Sequence, residues 1–174
     1  QPSLSNIVSG STAVTDGRVF AGSGEGYRPG FSISASDAHS GLASVQAYLD
    51  GALVANAASY TPPSNLSLGT HTIMFRATDA VGNQAQVQRS FVVVDDVRPT
   101  VTVAQPAADG SNEPILDITA TDDHSGLNTS SWTVSVNGVQ LPASGTNRLQ
   151  MNVGSLANGT HTIVVRIRDN AGNV

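Results

Sequence analysis

The 174-residue chain contains no cysteine and no lysine. Without cysteine there are no disulfide staples, no thiolate metal ligands and no direct reading of redox compartment. Without lysine there is no Schiff-base nucleophile, no Lys–Asn isopeptide crosslink and no Walker-type phosphate loop. All eight basic residues are arginines, scattered from Arg18 to Arg168, and the formal net charge is −5. That balance gives no cationic footprint for nucleic acid. Long apolar runs are also missing: no stretch approaches the roughly 20 residues that span a bilayer as a helix. The N-terminus has no basic segment followed by an apolar one, so no signal peptide is visible. The expectation is no membrane insertion and, if the protein is exported, a mature piece of something longer. Aromatic residues make up only 5%, which predicts thin, modestly stable cores of Val, Ile, Leu and Ala with one or two rings each.

What the chain does contain is 39% hydrophobic and only 12% charged residues, a composition that folds and is not that of disorder. It also contains a repeat. Residues 33–42 read ISASDAHSGL and residues 118–127 read ITATDDHSGL; residues 69–83 read GTHTIMFRATDAVGN and residues 159–173 read GTHTIVVRIRDNAGN. Two landmarks recurring in the same order mark tandem modules. The join is placed where Val92, Val93 and Val94 give way to Asp95, Asp96, Val97, Arg98 and Pro99, because a proline-bearing polar link follows a finished strand. The modules are therefore 1–96 and 97–174.

Within each module the apolar residues alternate with period two over short runs bounded by Gly, Asn, Asp and Pro. Strands are predicted near Leu4–Val8, Phe31–Ala35, Val45–Leu49, His71–Ala77 and Gln86–Val94, then Val101–Ala104, Leu116–Ala120, Trp132–Val136, Leu149–Val153 and Ile163–Ile167. Arg166 and Arg168 fall on the face opposite Ile163, Val165 and Ile167 and so point to solvent. No segment has helical period. Short antiparallel strands without helices leave a sandwich or a small barrel. The single tryptophan, Trp132, reads as the central ring of the second core, with sugar stacking as the minority alternative.

The D-x-x-S-G-L loop after the second strand, and the G-x-H pattern ending in D-x-x-G-N, resemble bacterial immunoglobulin-like repeat domains of surface and secreted proteins. The resemblance covers nearly the whole chain and implies two tandem immunoglobulin-like β-sandwiches, an all-β fold. Such repeats serve in adhesins, cell-wall proteins, polysaccharide-degrading enzymes and phage virion proteins alike, so the resemblance identifies a fold more firmly than a function. Two departures stand out. The first module carries an extra Gly- and Ser-rich segment near 9–30, with Val14, Val19 and Phe20 able to form one more strand or a decorated loop, where the second passes quickly from Val103 to Ile115. The second module lacks its final strand in this chain, through truncation of a longer array or because another segment fills the slot.

In the topology that the resemblance implies, the loop after the second strand and the loop between the last two strands meet at one end of the sandwich. Asp37 then approaches Asp79 and Asn83 in the first module. Asp122 and Asp123 approach Asp169 and Asn173 in the second, with Asp95 and Asp96 of the linker nearby. Gathered carboxylates and amide oxygens suit Ca²⁺, which takes six to eight oxygen ligands, so a calcium-stiffened junction is one expectation. The competing expectation is ordinary turn chemistry, in which Asp caps its own backbone and Gly takes positive φ.

His39 matches His124 and His71 matches His161; no H-E-x-x-H spacing is present, so these read as turn and strand-start residues. Ser40 and Ser125 lie beside histidines but in no G-x-S-x-G elbow. The sequons at Asn65, Asn128 and Asn158 read as chance. With no convergent acid, base and nucleophile that the repeat does not explain, the reading is not an enzyme. It is a noncatalytic extracellular or cell-surface spacer or adhesive pair whose partners are neighbouring immunoglobulin-like repeats, or a protein or glycan on a cell or matrix surface. The alternatives are a carbohydrate-binding accessory module of a secreted enzyme and a phage or injection-system surface protein.

Overall fold

The computed structural model describes residues 1–104, 106 and 112–174. The chain divides into two compact units, Gln1–Asp95 and Asp96–Val174. Of the short passage from Val103 to Ile115, residues 105 and 107–111 lie outside the described residues.

The first unit holds β1 (Ser3–Leu4), β2 (Val8–Ser9), β3 (Thr12–Ala13), β4 (Arg18–Ala21), β5 (Phe31–Ser32) and β6 (Ala35–Ser36). These are followed by β7 (Leu42–Leu49), β8 (Ala52–Ala55), β9 (Ser59–Tyr60), β10 (Gly69–Asp79) and β11 (Gln84–Val94). One layer is a five-stranded sheet ordered β4-β11-β10-β7-β8; the other is made of the pair β1-β6 and the sheet β3-β2-β5-β9. The alternation along β10 is complete: His71, Ile73, Phe75, Ala77 and Asp79 are buried while the residues between them are half-buried. Period two delivers one face of that strand to the core.

The extra segment near 9–30 joins the sandwich. Its strand β4 runs parallel to β11, with Val93 opposite Phe20, and so covers an edge that would otherwise be open. Arg18 ties the segment down, donating from Nη1 to the carbonyls of Thr12 and Ala13 and from Nη2 to the Glu25 carboxylate. Its guanidinium carbon lies 4.8 Å from the Phe20 ring centroid. The core is richer in rings than the composition predicts. Phe20 packs edge-on to Phe31 and Phe91 at 5.8 and 5.4 Å, and Phe75 and Tyr27 are buried with them. All four phenylalanines of the chain lie in this unit, because the extra segment carries its own aromatic residues inward.

The second unit holds β12 (Thr100–Ala104), β13 (Ile115–Thr121), β14 (Leu127–Val136), β15 (Val139–Leu141), β16 (Arg148–Asn152) and β17 (Ile163–Asp169). Two three-stranded sheets, β12-β13-β16 and β15-β14-β17, enclose Leu116, Ile118, Ala120, Trp132, Val134, Val136, Leu149, Val153 and Ile167. Trp132 is 5% exposed and its indole N–H donates to the Thr146 carbonyl at 3.0 Å; it is core, not a sugar platform. Among the described residues no strand pairs with the outer edge of β17, the side that β11 covers on β10 in the first unit. Both sandwiches are all-β, and no helix among the described residues is long and apolar enough to cross a membrane.

Candidate functional site

The same polar corner is built once in each unit. In the first, β6 ends at Ser36 and the turn Asp37–Gly41 leads into β7, while β10 ends at Asp79 opposite Leu42. In the second, β13 ends at Thr121, the turn Asp122–Gly126 leads into β14, and β17 ends at Asp169 opposite Leu127. A backbone bond staples the turns together in each case: Ala80 N–H to the Gly41 carbonyl, and Asn170 N–H to the Gly126 carbonyl.

Each first aspartate is an Asx cap whose short side chain turns back on its own loop. Asp37 Oδ1 accepts the N–H groups of His39, Ser40 and Gly41 at 3.1, 2.7 and 3.1 Å and the Ser40 hydroxyl at 3.0 Å. Asp122 Oδ2 accepts the N–H groups of His124 and Gly126 at 3.2 and 2.6 Å, with the Ser125 hydroxyl at 3.4 Å. The backbone bonds from His39 and Ser40 hold the Asp37 carboxyl well below the usual carboxylate range, as amide donors to an ionised oxygen do.

Each second aspartate closes the opposite turn. Asp79 Oδ1 accepts the N–H groups of Val81 and Asn83, and Oδ2 accepts the Asn83 side-chain amide at 2.8 Å. Asp169 repeats this with Asn173, at 2.8 Å from the backbone and 2.7 Å from the side chain. Both aspartates are 1% exposed. Burial works to raise the Asp79 pKa, but the Asn83 and Val81 donors outweigh it and the carboxyl is held low. Asn83 and Asn173 present amide nitrogen to the carboxylates, so they position the aspartates.

The structure brings Asp37 and Asp79 to one point: the Gln1 amino nitrogen is 3.4 Å from Asp37 Oδ2 and 3.8 Å from Asp79 Oδ2. Carboxylate oxygens of Asp122 and Asp169 lie within 4.8 Å of one another. Asp96 and Asp123 are exposed. Asp95, the last residue of the first unit, is buried and accepts the Tyr27 hydroxyl at 2.7 Å.

A second matched feature escapes the repeat reading. Asp50–Gly51 and Asn137–Gly138 form two-residue hairpins with positive φ at both positions (49° and 83°; 51° and 83°), the geometry that Asp-Gly and Asn-Gly favour. Asp50 Oδ1 accepts the Thr72 N–H at 2.7 Å and Asn137 Oδ1 accepts the Thr162 N–H at 3.1 Å. The other side-chain atom meets a histidine. His71 Nδ1 lies 2.7 Å from Asp50 Oδ2 and its Nε2 lies 2.9 Å from the Ser67 carbonyl. Both partners are acceptors, which takes a doubly protonated ring. Burial works against that charge, but the Asp50 hydrogen bond, the Ser67 carbonyl and the Asp50 charge outweigh it and raise the His71 pKa. In the second unit the Asn137 amide nitrogen lies 2.9 Å from His161 Nδ1 and the Ala157 carbonyl 2.8 Å from its Nε2, a ring braced in the same place with an amide where the first unit has a carboxylate.

No family model matches the chain. It is 31% identical over 123 residues to Halomucin of Haloquadratum walsbyi, a match covering 67% of this chain and 1% of that protein. The chain thus spans about 1% of the length of the curated relative it matches. Among solved structures it is similar to the fibronectin(III)-like modules of Clostridium thermocellum CbhA, at 19% identity and a TM-score of 0.42 over 96% of this chain and 87% of that one. It is also similar to Bacteroides ovatus SGBP-B in complex with a mixed-linkage heptasaccharide, at 10% identity and a TM-score of 0.41, covering 99% and 65%. Latent PorU of Porphyromonas gingivalis gives 16% identity and a TM-score of 0.44, covering 99% and 17%.

Proposed function

We propose that this chain is a noncatalytic pair of β-sandwich modules, a spacer or adhesive segment of a larger extracellular or surface protein. The observation that carries the reading is duplication of the polar chemistry. The Ser40 and Ser125 hydroxyls both face the Asx carboxylate of their own turn. His71 and His161 both brace a hairpin with both ring nitrogens engaged. A catalytic centre is a single constellation, in which a nucleophile, its base and an orienting group meet at one reacting atom; groups that brace the matching turn in both modules are serving construction. The likeness to part of Halomucin supports the placement in a long extracellular protein.

The test pairs turnover assays on ester, peptide and glycoside substrates with binding of the chain to a panel of soluble and insoluble polysaccharides. The expected outcome is no hydrolysis and no saturable binding to the soluble polysaccharides. Saturable turnover would sink the noncatalytic reading, and saturable capture by one polysaccharide would replace the spacer with a carbohydrate-binding accessory module.

A further inference from the structure

Turn chemistry accounts for one oxygen of each Asx aspartate and leaves the other unexplained. The Asp37 side chain is 1% exposed, yet its Oδ2 accepts no hydrogen bond and has the Gln1 nitrogen beside it at 3.4 Å; the Asp122 Oδ1 atom is likewise buried and accepts no hydrogen bond. Buried acceptors are ordinarily satisfied, and an ionised one left bare is costly. The same orphan recurring at the same position of two separately folded units points to a species that both corners are shaped to hold.

That species is positively charged. Asp37 Oδ2 and Asp79 Oδ2 converge on one point, lying 3.4 and 3.8 Å from the Gln1 nitrogen. In the second unit the Asp122 and Asp169 oxygens within 4.8 Å of one another are at a separation that two ligands of one calcium ion span, given Ca–O distances of about 2.3–2.6 Å. Two adjacent buried carboxylates repel each other, and a cation between them offsets that repulsion.

We propose that the paired-aspartate corner of each unit, Asp37 with Asp79 and Asp122 with Asp169, is a binding site for a hard divalent cation of the calcium class. Water completes the shell beyond the two carboxylates. So small a protein ligand set predicts weak binding, with a Kd on the order of 10⁻⁴–10⁻³ M as in extracellular modules.

The experiment is a calcium titration of the full chain followed by amide NMR at Asp37–Gly41 and Asp122–Gly126, with magnesium as the comparison ion. It is paired with thermal unfolding followed by the single tryptophan, Trp132, which reports the second unit. Saturable shifts confined to the corners are expected. At calcium about 100-fold above Kd, the folding equilibrium of the second unit shifts about 100-fold and its Tm rises about 10–20 °C. Asp122→Asn keeps an oxygen to accept the turn N–H groups and turns an amide toward Asp169. It should therefore melt no lower than the unsubstituted chain in chelator while losing the calcium response; Asp37→Asn should lose the first-unit shifts. Unshifted amides at 10 mM calcium (about 100 times the lower Kd), or a folded Asp122→Asn chain that keeps the full response, overturns the proposal. The titration of the unsubstituted chain decides the matter even if either variant fails to fold. Its readout is separate from the turnover and polysaccharide assays, so each reading can fail alone.

Discussion

A Cβ built on Gly22 would lie 2.1 Å from the Tyr27 hydroxyl oxygen and 2.4 Å from its Cζ. The constraint is space, because Tyr27 is packed into the first core while its hydroxyl donates to buried Asp95. Displacing that ring therefore disturbs the core and a charge-assisted hydrogen bond together. Gly22→Ala is expected to destabilise the first unit by about 1–3 kcal/mol through overpacking. Tyr27→Phe, which removes the hydroxyl without an overlap, separates the hydrogen bond from the clash. Urea unfolding read by tyrosine gives both values, since all three tyrosines lie in the first unit; equal stability of Gly22→Ala and the unsubstituted chain would show that Tyr27 swings aside at no cost. Nothing in the sequence marks this pairing, because Tyr27 and Asp95 are 68 residues apart and neither sits in a recurring motif.

At the scale of the strand, β10 and β17 carry nearly the same sequence in different settings. Ile73 is 0% exposed on a strand paired on both sides, by β11 and β7. Ile163, its counterpart after the matched Thr–His–Thr, is only half-buried on a strand that, among the described residues, pairs with β14 alone. Ile73→Ala should cost about 2–5 kcal/mol as a large-to-small change in a packed core. Ile163→Ala should cost clearly less, because its surroundings already admit water. Denaturant midpoints read by tyrosine for the first and by Trp132 for the second test this, and equal costs would contradict the burial difference. The long strands were legible because period-two burial is written in residues such as Ile73, Phe75 and Ala77. The Asp37, Asp79, Asp122 and Asp169 corner was legible because the turn motif occurs twice. Short strands such as β8 and β9 were not, as four or two residues carry no period. Nor was the role of β4, whose parallel pairing with β11 is a tertiary choice. The Asp50–His71 strut was also missed, although Asp50–Gly51 and Asn137–Gly138 between apolar runs are strong hairpin signals; the turn was readable and its distant histidine was not.

For the whole molecule, two units with separate cores give separate responses, and the chain labels them: tyrosine occurs only in the first and tryptophan only in the second. The struts differ in charge. His71 has its pKa raised in the fold, so its contribution is fully present below the unfolded histidine value of about 6.5 and is lost as pH rises through the folded value. Asp50 has its pKa lowered, burial opposing and the His71 and Thr72 hydrogen bonds prevailing. Its contribution is present above about 3.9 and is lost as pH falls through the lowered value. The pair is therefore complete between about pH 4 and 6.5, whereas Asn137 and His161 meet through a neutral amide. On raising the pH from about 6 through the His71 titration, the tyrosine-detected melting temperature is expected to fall, with no change from this source at Trp132. Asp50→Asn should flatten the tyrosine response, and Asn137→Asp should give the Trp132 transition a pH dependence of the same sign. An NMR titration of the His71 ring in the unsubstituted chain and in Asp50→Asn checks the cause directly. If the ring titrates at the same pH in both, the carboxylate is not what holds its proton, and the two hairpins are equivalent despite the exchange of aspartate for asparagine.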